Sequence, residues 1–276
     1  DRVLGTIPFK GQVLNQLADF WFEKTKRIAK NHVIDVPDPN VMVVKECVPL
    51  PVEMVVRGYI TGVTTTSAWY NYQRGVRNFC GVRLPEGLRK DQKFDKPIIT
   101  PTTKASEGEH DRPISGEEAI KEGLVSREIF ERMSEASMKL FDFGSKFVAK
   151  HGIILVDTKY EFGLLDGELV LMDEIHTPDS SRFWLADTYD ELFRRGDEQR
   201  KLDKEYVRTW LANQGYIGDG KPPRLTPEVV IEAAKRYMEA YEKITGVKFK
   251  MTEGNAIQRI IKNLKQKGYM QDSERQ

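Results

Sequence analysis

Residues 153–184 read IILVDTKYEFGLLDGELVLMDEIHTPDSSRFW, and this stretch decides the fold. Ile153–Val156 is an apolar run rich in β-branched residues. After it, Asp157, Lys159 and Glu161 stand two residues apart. A strand sends every second side chain to one face, so these three point one way while Thr158 and Tyr160 point the other. A second apolar run, Leu169–Met172, ends in Asp173 and Glu174. Between the two runs, Asp166-Gly167 is a hairpin signal.

Loop length decides what the hairpin presents, because directly opposed residues of an antiparallel pair share a face. A two-residue loop, Asp166–Gly167, sets Glu161 opposite Met172 and sends Asp173 to the other face. A three-residue loop, Leu165–Gly167, with Gly167 left-handed, sets Lys159 opposite Asp173. Asp157, Lys159, Glu161 and Asp173 then line one surface. Three carboxylates and a lysine suit hydrated magnesium and phosphates, since Mg²⁺ takes hard oxygen ligands and usually only one or two carboxylates. The same alternation also suits the wet face of an ordinary hairpin. Spacing alone leaves both readings open.

Upstream, Gly11 to Lys30 reads as a helix, with Val13, Leu14, Leu17, Phe20, Trp21 and Ile28 near helical spacing. Val33–Val36 and Val41–Val44 read as short strands around Pro37-Asp-Pro39, and Val52–Ile60 as a longer one. A loop of small residues, Thr61–Ser67, leads to a short helical segment. Residues 75–114 lack periodicity and predict a long irregular segment, which in a compact domain is usually functional or disordered. Ser115-Gly-Glu-Glu118 is a capping box. Ser126 then caps a long helix to His151, closed by Gly152. Downstream, helices are expected from Asp203, from Thr226-Pro227 to about Thr245, and over Ala256–Lys267, with a frayed tail at Gln271–Gln276. Strands with one early helix suggest an α+β chain with an antiparallel or mixed sheet, divided into a β-rich lobe (1–110) and a mixed lobe (111–276).

Composition narrows the function classes. The chain has 276 residues, 39% hydrophobic and 31% charged, enough to bury one large core or two modest ones. A net charge of +1 provides no global field for nucleic acid or an anionic membrane. No run approaches the roughly 20 apolar residues of a membrane span. Cys47 and Cys80 form neither a disulfide framework nor a metal cluster, so a reduced cytoplasmic setting is expected. The chain opens at Asp1 without an initiator methionine, and further residues upstream are expected.

Three other segments carry chemistry. Arg57 precedes the Gly/Thr/Ser loop, and its planar fork with loop hydroxyls could cradle a phosphate. Lys104 is followed by Glu109, His110 and Asp111. Asp179, Ser180, Ser181 and Arg182 form a dense polar turn between apolar anchors, able to bind an anion or to cap the next element. Dinucleotide, Walker, CxxC and GxSxG signatures are all lacking.

VEMVVRGYITG, ITPTTKASEGEHD, LVDTKYEFG and MDEIHTPDSSRFW, in this order and at these separations, resemble the phosphoribosylaminoimidazole-succinocarboxamide synthase (SAICAR synthetase) family, in its larger form of roughly 300 residues. The match runs from Asp1 to about Phe249. The resemblance implies a two-lobed α+β fold similar to protein kinases, with ATP between the lobes. It implies a ligase that joins L-aspartate to carboxyaminoimidazole ribonucleotide through an acyl phosphate, giving SAICAR, ADP and phosphate. By motif match, Glu161 and Asp173 would hold Mg²⁺, and Asp157 and Lys159 would face the phosphates and the reacting carboxylate. Arg57 and hydroxyls of the following loop, from among Thr64, Thr65, Thr66 and Ser67 (Thr64 and Ser67 being the named candidates), would take the ribonucleotide phosphate with Arg182 assisting. Ser181 would bind substrate, and Asp111 would lie near the ribose or substrate. Lys45, Glu46, Cys47 and Val48 would form the hinge that pairs with adenine. Monomer or homodimer is the expected assembly.

The family opens with a strand pair covering the nucleotide, and the match here begins at the last aspartate of the segment that follows it. Val63 stands where a serine commonly follows the glycine. Two rival readings are a small-molecule kinase on the same scaffold and a nucleotide-binding chain without turnover. A phosphate site beyond ATP separates the ligase from the first, and the retained Asp157, Lys159, Glu161 and Asp173 separate it from the second.

Overall fold

One strand, Ile153–Leu165, is hydrogen-bonded to four others and orders the architecture. The computed structural model describes residues 5–104, 111–202, 205–216 and 221–271. In chain order the first half holds α1 (Lys10–Thr25), β1 (Val33–Asp38), β2 (Val41–Val44), β3 (Val48–Pro49), β4 (Val52–Ile60) and α2 (Ala68–Tyr72), then β5 (Asn78–Phe79), β6 (Val82–Arg83), β7 (Gln92–Ile99) and β8 (Thr102–Thr103). The second half holds α3 (Gly116–Lys121), α4 (Arg127–Ala149), β9 (Ile153–Leu165), β10 (Glu168–Met172) and β11 (Ser181–Leu185). Four helices follow: α5 (Ala186–Arg195), α6 (Glu205–Asn213), α7 (Pro227–Thr245) and α8 (Ala256–Gln266).

All named ladders are antiparallel, so the mixed α+β reading holds. β4 and β11 flank the first part of β9, meeting it together at Asp157 and Thr158. β3 and β10 flank its far part, meeting it together at Gly163 and Leu164. β9 is therefore buried on both edges, and its side chains alternate between the core and the opposite face.

The core lies between this sheet and helices α1 and α4. Val13, Leu17 and Trp21 recur at four-residue spacing on α1 and are fully buried. Met133, Leu140, Phe141 and Val148, one or seven residues apart in sequence, form the buried stripe of α4. Each such side chain contributes about 1.5–3 kcal/mol on burial, whereas the exposed pairs Arg132–Glu128, Lys139–Glu135 and Lys146–Asp142 are screened by water and add little. Packing, not surface charge, holds α4. Its ends follow the caps: Ser126 Oγ accepts from the Ile129 amide, and Gly152 beyond the last turn has φ 70°. The capping box at Ser115 also forms. α7 starts at Pro227 behind the Thr226 cap and stops at left-handed Gly246.

Four expectations change. α1 ends at Thr25 rather than Lys30, because the Ile28 and Ala29 amides return to the Thr25 carbonyl and turn the chain back toward Leu171. β1 runs through Pro37, and the turn sits at Pro39–Asn40, held where the Asn40 amide donates to Asp38 Oδ1 at 2.9 Å. Within the supposedly irregular 75–114, β7 pairs with β4; being at the edge of the sheet, it carries Pro97 without breaking a ladder. The polar segment at Thr177–Trp184 is a turn only up to Ser180, after which β11 runs along β9. The expected helix start at Asp203 and most of the tail lie outside the described residues. No described helix is long and apolar enough to cross a membrane.

α4 passes so close to the turn after β10 that a Cβ at Gly144 would lie 2.4 Å from His176 Cε1. His176 is fully buried and cannot retreat. Gly144→Ala gains up to about 1 kcal/mol of helix propensity but overpacks at a cost of about 1–3 kcal/mol or more. The expected outcome is net destabilisation, read as a lower midpoint of thermal unfolding than the parent.

Candidate active site

The alternation along β9 is realised at Tyr160 against Asp157 and Lys159, whereas Thr158, expected on the other face, also lines the cleft described next. Tyr160 points into the core, where its hydroxyl and His176 Nε2 are 2.6 Å apart. Burial draws His176 down to about 3, so the imidazole stays neutral. On the opposite face, Asp157 and Lys159 line a cleft of about 450 Å³. The cleft also takes in Arg57, Thr64, Ser67, Asp111, Ser181 and Arg182, which are all the residues expected to bind substrate.

Asp157 is the centre of one end. Its Oδ2 accepts from Arg57 Nη1 at 3.2 Å and from Arg182 Nη1 at 2.5 Å. Arg57 is buried, and its Nε donates to Thr100 Oγ1 at 2.7 Å and its Nη2 to the Thr66 carbonyl at 2.9 Å. That last bond ties the loop after β4 to the sheet. Within the loop, Thr64 Oγ1 and Ser67 Oγ lie 2.8 Å apart. Gly62 has φ 92°, and a Cβ there would lie 2.3 Å from Ser67 Oγ and 3.0 Å from Arg182 Nη2. Only glycine lets hydroxyls and guanidinium converge at that point. Val63 is exposed, so its side chain takes no part in this convergence.

Lys159 is the centre of the middle. Its Nζ donates to Glu53 Oε1 at 2.7 Å and also to Glu161. Lys104 Nζ donates to the other oxygen of Glu161 at 2.5 Å. Burial opposes the charge on Glu161, yet the bonds from Lys104 and Lys159 outweigh it and draw the carboxyl to about 2. Burial also works against the Lys159 ammonium, and the same carboxylates overcome it and raise the group. Glu53 accepts from Thr102 Oγ1 at 2.9 Å, and burial raises its carboxyl despite Lys159.

The hairpin takes the two-residue turn. Asp166 and Gly167 have φ 51° and 79°, and Met172 pairs with Glu161. By register alone, Asp173 would leave the face of Glu161. Instead its backbone turns left-handed, φ 65°, and its carboxyl comes close enough to Glu161 to feel its charge. Burial raises Asp173, and the charge on Glu161 raises it further. Two carboxylates this close repel unless a proton or cation lies between them. This hard-oxygen pair fits Mg²⁺, which asks for one or two carboxylates and fills its shell with water and phosphate. Among the described residues no larger set of His, Cys, Asp and Glu forms a metal cage.

Lys45–Val48 does not enter the cleft. It lies farther along β9, where Val48 pairs with Leu164 and the Lys45 amide donates to the His32 carbonyl at 2.7 Å. Glu109 and His110 lie outside the described residues. Sequence reading missed Glu53 and Thr102, and Asp179 and Ser180 join the cleft wall from the turn. Glu53 was discoverable, since Glu53, Val55 and Arg57 share one face of β4 by the same two-residue period.

The family model for SAICAR synthetase matches residues 1–224. A phosphoribosylaminoimidazole-succinocarboxamide synthase of Legionella pneumophila (strain Paris) is 48% identical over 268 residues, covering 96% of this chain and 85% of that protein. One from Bacteroides thetaiotaomicron is 49% identical over 261 residues, covering 94% and 82%. Among solved structures, the Saccharomyces cerevisiae SAICAR synthase complexed with SAICAR superposes with TM-score 0.76 at 32% identity, over 89% of this chain and 84% of that one. A SAICAR synthetase in complex with ADP gives 0.65 at 28% identity, over 89% and 85%. The architecture is thus the two-lobed α+β fold of these enzymes.

Glu161 makes the site pH-sensitive in a defined direction. Its folded-state value, about 2, lies below the ordinary 4.5. Its contribution to stability is present above about pH 4.5 and is lost as pH falls through about 2. Urea titrations of the parent and Glu161→Gln are expected to differ most near pH 6 and to converge as the pH is lowered toward 2.

Proposed function

The chain belongs to the SAICAR synthetase family, and from that premise we propose how its own residues perform the reaction. It is an ATP-dependent ligase that joins aspartate through an amide in purine biosynthesis. We assign carboxyaminoimidazole ribonucleotide to the 450 Å³ cleft, with its phosphate at the Arg57–Arg182 end. The observation that carries this reading is the convergence of both arginines, Thr64, Ser67 and Ser181 on one end, a short step along β9 from Lys159. Three of the five Arg57 donors are used within the protein, and the remaining two are free to meet phosphate oxygens. Asp157 keeps both guanidinium planes oriented and offsets their mutual repulsion.

In the first step, an oxygen of the imidazole carboxylate attacks the γ-phosphorus of ATP and ADP leaves. Lys159 lies between the carboxylate and the transferring phosphoryl group, where its ammonium offsets developing negative charge. In the second step, the aspartate amine attacks the acyl carbon, the C–N bond forms, inorganic phosphate departs with the C–O electron pair and the amine loses a proton. Glu161 and Asp173 would hold Mg²⁺, which would offset the negative charge of the transferring phosphoryl group. Lys104 and Lys159 hold Glu161 ionised and ready for that role. Asp111 stands at the exposed rim, where it meets the substrate. We place adenine against the backbone of Lys45–Val48, with ATP between lobes 1–110 and 111–276. The hydrogen bonds of β9 to β3 and β4 join those two parts through a shared sheet. A cytoplasmic monomer or homodimer completes the reading, in keeping with two free cysteines.

The test is ADP release by the purified protein with ATP, Mg²⁺ and carboxyaminoimidazole ribonucleotide, with and without L-aspartate. Release is expected to need both co-substrates and to yield the succinocarboxamide. Release without aspartate, with a stable phosphorylated product, would instead establish a kinase. Lys159→Met is expected to lower kcat by about 10²–10³-fold with a smaller change in KM for the ribonucleotide.

A further inference from the structure

Tyr237 lies on α7, beyond residue 224 where the family match ends, yet it reaches the cleft wall. Its hydroxyl donates to Asp179 Oδ1 at 2.6 Å. Asp179 Oδ2 pairs with Lys10 Nζ of α1 at 2.8 Å, and that ammonium lies 5.3 Å over the Tyr237 ring. Two helices from opposite ends of the chain thus meet on one carboxylate of the turn between β10 and β11.

The turn is a chain of short-range bonds that ends in the cleft. Thr177 Oγ1 donates to Glu174 at 2.6 Å and accepts from the Asp179 and Ser180 amides, each at 3.2 Å. The Ser180 carbonyl accepts from the Lys159 amide at 3.0 Å. Ser181 Oγ donates to Thr158 Oγ1 at 2.8 Å, and Arg182 follows with its bond to Asp157. All of these bonds lie within the sheet or the turn itself. Tyr237 is different: its ring belongs to the main core, so its hydroxyl sits at a fixed depth and can pull the turn to one position. Lys10 is partly exposed and flexible, so its contribution is the smaller one.

We propose that Tyr237 and Lys10 are positioning residues for the ligase reaction, holding Asp179 so that Ser181 and Arg182 stay aligned for the ribonucleotide phosphate. This rests on the placement of that phosphate at the Arg57–Arg182 end.

Tyr237→Phe keeps the ring and removes only the hydroxyl. The KM for carboxyaminoimidazole ribonucleotide is expected to rise on the order of tenfold. The KM for MgATP is expected to stay unchanged, and the thermal midpoint to fall by only about 2–4 °C. Lys10→Met is expected to give a smaller rise of the same kind. Hydrogen exchange of the free protein reads the tether without any substrate. Amides of Thr177 and of residues 179–182 are expected to exchange on the order of tenfold faster in Tyr237→Phe. Equal rises in KM for all three substrates, or an unchanged ribonucleotide KM, would overturn the positioning role whatever the exchange shows. Should the parent itself fail to turn over the ribonucleotide, the placement of substrate falls separately, and unchanged exchange at these amides would then overturn the tether.

Discussion

The Asp157 carboxylate, buried and shared by two arginines, is the constraint on which the Arg57–Arg182 end of the cleft depends. Three strands meet there: β9 carries Asp157, β4 carries Arg57 and β11 carries Arg182. Two guanidinium groups brought this close repel, and an isolated buried carboxylate is costly. Together they offset each other, and Arg57 spends two further donors on Thr100 and the Thr66 carbonyl. Removing Asp157 would leave the buried Arg57 guanidinium without its carboxylate, and Arg57 in turn holds the Thr66 carbonyl, which keeps the loop after β4, with its hydroxyls, at the cleft.

A second network begins one side-chain period along, with the signs exchanged. Here a lysine sits between Glu53 and Glu161, and a second lysine, Lys104, caps Glu161 from outside. The outcome differs for each carboxyl: Glu161, with two lysines, is held low, while Glu53 and Asp173, with less compensation for burial, are raised. On the proposed roles, a site for a metal-bound phosphoryl group needs one carboxylate ready to bind and a charged lysine. Both conditions follow from these contacts rather than from residue type alone.

The legible parts of the fold were those set by local chemistry. The period-two pattern exposed the charged face of β9, the bounds of β4 and the caps at Ser115, Ser126 and Thr226 each matched. β7 was hidden because a proline and scattered charges read as loop, and only its place at the sheet edge makes them tolerable. β11 was hidden because its polar start is satisfied by partners distant in sequence, Asp157 and Thr158. The site residues came from motif resemblance. Asp173 shows the limit of pattern: the turn length alone points its side chain away from Glu161, and a single left-handed residue returns it. No spacing rule encodes that rotation, since it depends on where the chain must go after β10.

The period of β9 also sets the order of the chemistry. Successive residues on one face are about 6.6–6.8 Å apart. Asp157 faces the arginines, Lys159 comes next, Glu161 with Asp173 follows, and the next position on that face is Gly163. A Cβ at Gly163 would lie 2.9 Å from Met172 Sδ and 3.0 Å from both Cys47 Cβ and the Val48 carbonyl. The absence of a side chain there is what lets the Lys45–Val48 segment close against the strand. On the proposed roles, the same face reads in sequence as ribonucleotide phosphate, reacting carboxylate, metal-bound phosphates and adenine. A substrate in which a carboxylate must meet the γ-phosphate of a nucleotide needs that linear order, and one extended strand buried on both edges keeps the spacing constant.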